Sequence, residues 1–145
     1  VSSNSFAASG TAQGLLERAF DVLAGEAPRH WALFCVTLGD LVIELRVGLE
    51  SFQVFSSQGE VKCASAGTRE PRVSAATHLA VANDLFAGNV TFLEALMTDR
   101  LSVRGEAAAL SGASRAMEVF LHGLVRSPSG PVLLNLLGES AEKEG

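Results

Sequence analysis

Among the polar residues of this chain, the set best spaced for chemistry is Arg115, Glu118 and His122. They lie three and four residues apart, so on a helix they share one stripe. A glutamate orienting a histidine would make a general base. Any solvated helix face shows the same spacing, and ordinary pair interactions are the simpler reading. His78 with Asp84 is a second set, but Thr77 or His78 reads as a helix start and Asp84 as a surface residue. Arg104 and Glu106 flank Gly105, where a pairing would be a rim salt bridge of little worth. His30 precedes Trp31 at the start of an expected strand. No catalytic role is assigned. His78, His122 and Glu118 stand as the weak candidates, and no phosphate loop, nucleophile elbow or metal-binding helix motif accompanies them.

The two cysteines, Cys35 and Cys63, are too few for a zinc site. They read as ordinary thiols of a cytoplasmic protein, and neither a metal nor another cofactor is expected. The apolar residues say more. Phe86, Leu93, Leu96, Met97, Met117, Phe120, Leu121 and Leu124 come from neighbouring expected helices. Phe34, Phe52 and Phe55 come from expected strands. Near the C-terminus, "SGPVLLNLLGES" holds Leu133, Leu134 and Leu137 in a stretch apolar nearly all round. These residues would fill a core or line an apolar cavity, and sequence alone does not separate the two.

The elements that must position them follow from periodicity. Residues 1–13 read as a flexible arm. Residues 14–25 form an amphipathic helix with Leu15, Leu16, Ala19, Phe20, Val22 and Leu23 on its apolar face. "WALFCVTLGDLVIELRV" reads as a hairpin turning at Gly39-Asp40. "SFQVFSSQG" adds a third strand. "EVKCASAGTRE" reads as a loop or irregular edge, and "PRVSAATHL" as a fourth strand opened by Pro71. Then come a short helix stopped by Gly88, and a second with Thr91 and Glu94 at capping-box spacing. "RLSVRG" is the fifth strand, and a long helix runs to about Val125, with Gly112 inside it or breaking it. Pro131 opens a two-turn helix over 131–137, and residues 139–145 are a polar tail. The expectation is one α+β domain over 14–138: a five-stranded, mostly antiparallel sheet with helices packed on one face.

The bulk composition narrows the function. At 145 residues the chain can bury a sizeable core. Its net charge is −5, with nine arginines scattered among 11 basic residues. No basic patch for nucleic acid and no basic amphipathic helix for an anionic membrane is visible. Mean hydropathy is +0.28, yet no apolar run approaches the ~18 residues of a membrane span. The apolar excess must go into a core, an interface or a cavity. The chain begins at Val1 rather than Met, which fits a processed form or an excised domain, and no secretory signal is recognised.

The stretch "HLAVANDLFAGNVTFLEALMTDRLSVRGEAAAL" resembles the sterol carrier protein 2 family. Gly88 matches that family's first helix stop. Phe92 and Leu96 match the apolar positions of its second short helix. Leu101, Val103, Gly105 and Glu106 match its strand-and-turn, whereas Asp99-Arg100 stands where the family usually has Gly-Lys. The resemblance covers roughly residues 14–126. It implies a five-stranded sheet backed by helices, with a hydrophobic tunnel between them that holds a sterol, fatty acid or acyl chain. It also implies a C-terminal helix closing the tunnel, the place that "PVLLNLLG" occupies here. The composition, rich in Ala and in Arg over Lys, suits a GC-rich bacterium, where a fatty-acyl or polyketide-like ligand fits better than a sterol. The expected function is a carrier or binding module for an apolar ligand. One alternative is an enzyme that shapes a hydrophobic natural-product intermediate in the same cavity. The other is a homodimerisation module without ligand.

Overall fold

A chain with alternating runs over residues 42–57 must put one set of side chains on each face of a sheet. In the computed structural model, which describes residues 11–144, these runs are strands β1 (Val42–Val47) and β2 (Glu50–Ser57). Among the described residues the order is α1 (Thr11–Glu26), α2 (Pro28–Leu38), β1, β2, β3 (Glu60–Ser65), β4 (Val73–Thr77), α3 (Leu79–Ala87), α4 (Phe92–Met97), β5 (Ser102–Gly105), α5 (Ala107–Arg126) and α6 (Gly130–Glu144). The sheet order is β3-β2-β1-β4-β5. Among the described strands only the β1–β4 pair is parallel. The α+β class, the number of strands and the mostly antiparallel pairing are as expected.

Two elements differ from the sequence reading. Residues 31–38 are not the first strand but most of α2. Pro28 sits in its first turn, and the backbone stops at Gly39 with φ 56°. Its inward residues are Trp31, Phe34 and Leu38, spaced for a helix. Val36 faces water, and the Thr37 hydroxyl donates to the Leu33 carbonyl at 2.7 Å. The expected hairpin turning at Gly39-Asp40 is therefore absent, and the sheet keeps five strands because residues 60–65, read from sequence as a loop or irregular edge, form β3. Gln58 and Gly59 both take positive φ, 53° and 81°, the pattern of a type I′ hairpin turn. Gln at the first turn position hides that signal, since Asn or Asp is the usual residue there.

From β3 the chain must cross β2 and β1 to reach β4. The crossing runs over one face of the sheet, and Gln53, fully buried, pins it. Its side-chain oxygen accepts from the Arg69 amide at 3.0 Å, and its Nε2 donates to the Arg69 carbonyl at 2.7 Å and to Glu44 at 3.0 Å. The Arg69 guanidinium stacks over Phe55, 4.1 Å from the ring centre.

The opposite face carries Ile43, Leu45, Val47, Phe52, Val54 and Val73, which pack with residues of α1, α2, α5 and α6 in one cluster. The helices are thus on one face, as expected. Gly88 ends α3 in the left-handed region, and Thr91 and Glu94 form the full capping box that opens α4. Helix α5 runs unbroken through Gly112, where an added Cβ would stand 3.2 Å from Leu41.

The terminal expectations change. Residues 11–13 belong to α1, while residues 1–10 of the expected arm lie outside the described residues. The last helix is longer than the two turns over 131–137. It continues through Gly138 to Glu144, and Leu137 and Ala141 pack on the main cluster. That packing holds the extra turns and offsets the ~1 kcal/mol a helical glycine costs. Of the expected polar tail over 139–145, residues 139–144 are therefore helical, and Gly145 lies outside the described residues.

Candidate functional site

The space between the helices and the apolar sheet face is not completely filled. A cavity of about 110 Å³ lies among α1, α3, α5, α6 and the sheet, lined by Leu15, Leu16, Leu45, Val47, Phe52, Leu79, Phe86, Leu124, Leu133 and Leu137, with Ala12, Ala19 and Ala82. A groove of about 300 Å³ lies between the end of α3, the end of α5 and the start of α6. Its walls are Leu85, Phe86, Leu121, Leu124, Val125, Pro131, Leu133 and Leu134, with Gly88 and Gly130. A third space of about 80 Å³ lies under α1, α2 and α5, against Leu16, Phe20, Phe34, Leu38, Ile43, Leu45, Val54, Met117 and Phe120.

The three spaces are neighbours. Leu16 and Leu45 border both the first and the third. Phe86, Leu124 and Leu133 border both the first and the groove. Aromatic rings form part of the partition, with Phe86 and Phe120 6.1 Å apart and Phe120 edge-on to Phe20 at 5.8 Å. Among the described residues that line the three spaces none is ionisable, and none has a hydroxyl, amide or thiol side chain.

Helix α6 roofs both the cavity and the groove, and its start is fastened to the end of α1. Both Glu26 carboxylate oxygens accept from Ser129, one from the backbone amide at 2.7 Å and one from the hydroxyl at 2.5 Å. These bonds hold the Glu26 carboxyl below its ordinary pKa. Ser127, buried in the same connection, donates to the Gly123 carbonyl at 2.8 Å.

The expected ligand-lining residues divide. Phe86, Leu124, Leu133 and Leu137 line the cavity, Leu121 and Leu134 the groove, and Met117 and Phe120 the third space. Leu93, Leu96 and Met97 line none of the three. Leu93 and Met97 are exposed on α4, and Leu96 packs in a separate small cluster with Val81, Val90, Ala95 and Leu101. The reason is length. Helix α4 has only six residues, and its buried position is Ala95. The walls from α1, from Leu45 and Val47, and from Leu79 and Ala82 were not singled out. Their signal was the ordinary apolar periodicity of core residues.

The weak catalytic candidates are elsewhere. His78 precedes α3 without capping it through its side chain. His78, Glu118 and His122 are exposed, and none borders the three apolar spaces. Among the described residues no ion pair joins Arg115, Glu118 and His122. Arg104 and Glu106 do not pair either; Glu106 lies 3.8 Å from Arg72 instead. Cys35 and Cys63 are free thiols. Burial, with a smaller contribution from the charge of Glu17, pushes the Cys63 thiol up to about 12, so it stays protonated and unreactive. Burial raises Cys35 as well. No group of three or more candidate metal ligands occurs among the described residues, and no described helix is long and apolar enough to cross a membrane.

No protein-family profile matches this chain, and no curated protein matches it. Solved structures similar to it include the UbiJ-SCP2 ubiquinone synthesis protein, at 12% identity over 61% of this chain and 74% of that one, with TM-score 0.48. Sterol carrier protein 2 like 2 from Aedes aegypti is similar at 18% identity over 73% of this chain and 94% of that one, with TM-score 0.48. The apo form of sterol carrier protein 2 from Yarrowia lipolytica is similar at 15% identity over 72% and 87%, with TM-score 0.48.

Proposed function

We propose that this chain binds an apolar small molecule or lipid between its helices and its sheet, as a carrier or binding module, with no chemical step. The observation that carries this reading is the lining. Three adjoining spaces share partition side chains, and among the described residues no ionisable or hydrogen-bonding side chain stands in their walls. Such a site rewards only the removal of apolar surface from water, at about 25 cal/mol per Å² before ordering costs. A fatty-acyl chain suits it best, since a flexible chain can thread between partition residues where a rigid ring system cannot. Sterol-like and polyketide-like ligands belong to the same apolar class. The groove is at the small end of ligand pockets, and displacement of Phe86 would join it to the cavity. Residues of the expected set that line these spaces would be the contacts, and α6 would be the lid.

The candidates for an enzymatic step, His78, Glu118 and His122, lie outside these walls, which favours the carrier reading over conversion of an intermediate. The test is titration of the full chain with a fluorescent fatty acid, together with native mass spectrometry of the purified protein. The expected result is saturable uptake of one ligand per chain and a bound lipid in the mass spectrum. A monomer that carries nothing and takes up no fatty acid would overturn the proposal. A ligand-free dimer would point to the interface reading instead.

A further inference from the structure

The face of the sheet away from the helices carries a second concavity, of opposite character. It holds about 340 Å³ over β1, β4 and β5 and the start of β2. Register explains its shape. One row across the strands is Gln53, Glu44, Ser74 and Arg104. The next row is Ser51, Arg46, Ala76 and Ser102. Strand β4 contributes only the short side chains Ser74 and Ala76 to this face. They form a low floor, with Arg46 rising from β1 on one side and Arg104 from β5 on the other.

The two arginines stand two strand spacings apart across the sheet and one row apart along it, a diagonal of roughly 12 Å between their backbone positions, which two extended guanidinium side chains can span to one group above β4. Both are exposed, and neither is in an ion pair among the described residues. In a chain of net charge −5, two arginines that line one trough beside a floor of small residues concentrate donors on this face. Three serine hydroxyls, from Ser51, Ser74 and Ser102, surround them. Among the described residues that line the trough the one acid is Glu44, and Gln53 draws one of its oxygens toward the loop that crosses the sheet.

We infer that this trough binds the phosphoryl group of a small phosphate monoester. Two guanidinium forks offer paired donors to at least three acceptor oxygens. A phosphate monoester supplies three, and a carboxylate only two. The volume suits a small molecule. The free oxygen of Glu44 would accept from a hydroxyl next to the phosphate, which favours a polyol phosphate over the bare anion. The sheet separates this trough from the apolar spaces, so the site is independent of the carrier reading.

The test is amide-resolved NMR of the full chain titrated with glycerol 3-phosphate and, separately, with inorganic phosphate. Saturable shifts centred on Arg46, Ser51, Ser74, Ser102 and Arg104 are expected, with glycerol 3-phosphate the tighter probe. Arg46→Gln and Arg104→Gln should each weaken binding by about tenfold. Arg115→Gln, on the outer face of α5, should leave it unchanged. Fatty-acid uptake by the two trough variants should match the parent. The inference is overturned by shifts that do not saturate or lie elsewhere, or by unaltered affinity in both arginine variants. A phosphoserine peptide binding more than about tenfold tighter than glycerol 3-phosphate would also overturn it, in favour of a protein partner.

Discussion

Leu45 and Arg46 are neighbours on β1, and they face two different environments. Leu45 borders two apolar spaces under the helices. Arg46 stands exposed over a trough of serines. Helices cover the first face, and wherever their side chains fail to meet, what remains is an oily void. The second face is crossed by a single loop pinned at Gln53, and its uncovered part is open to water and rich in donors. The difference teaches that both hollows arise from the same local rule, a sheet with period two. What lies over each face decides which kind of ligand the hollow can take.

The sharpest way to break this comparison is to substitute the two neighbours in turn. Leu45→Asp places an unpaired carboxylate under the helices and should destabilise the fold by on the order of 4 kcal/mol or more. Arg46→Ala should change stability by less than about 0.5 kcal/mol. Chemical denaturation followed by circular dichroism measures both, and equal effects would erase the distinction between the faces.

Phe120→Ala tests the helix side next. Phe120 is buried and stacks near Phe20, Phe34 and Phe86. Its loss should cost about 3–5 kcal/mol and enlarge the third space. If the carrier reading holds, the surviving folded protein should also accept a bulkier fluorescent ligand, measured by titration.

Gln53→Leu tests the loop side. Three hydrogen bonds go, leaving the Arg69 amide and carbonyl unpaired, at a cost of about 1–3 kcal/mol. Hydrogen exchange should quicken in residues 66–72 and stay slow in the helix-covered strands. Uniform quickening would show that the loop is integral to the whole core.

The smallest effect is expected at the Glu26 latch on α6. Its pKa is held low in the folded protein, so its contribution is present above the ordinary carboxylate value of 4.5 and is lost as pH falls through the folded value. Glu26→Gln should therefore lower Tm slightly at neutral pH, and the gap to the parent should close progressively below pH 4.5. A gap independent of pH would mean the bonds to Ser129 act without the carboxylate charge.

Local signals made much of this fold legible. Thr91 with Glu94, and Gly88 after Phe86, carry their own hydrogen-bonding and backbone logic, and the elements they bound appear where expected. Residues 31–38 misled because Val36 and Thr37 are β-branched and almost every position is apolar. Burial of Trp31, Phe34 and Leu38 against α1 and α5 outweighs that propensity. Residues 60–65 misled for the opposite reason. At the sheet edge only Val61 and Cys63 meet the core, and two residues make a faint alternation. Of the candidate site, the contributions of α5 and α6 were legible as stripes. Leu93 and Met97 were not separable from them, because which way a six-residue helix turns its apolar side depends on its neighbours.

By itself the sequence determined the α+β class, the inward stripes of α1 and α5, the capping of α4 and an apolar excess with no length to span a membrane. Each is a property of spacing along the chain. Only the tertiary structure decided that Leu45 and Phe86 border empty space while Phe52 is also packed from other sides, and that Arg46 and Arg104 flank one floor. A void and a convergence of side chains are relations between elements far apart in sequence. No periodicity encodes how completely two surfaces meet.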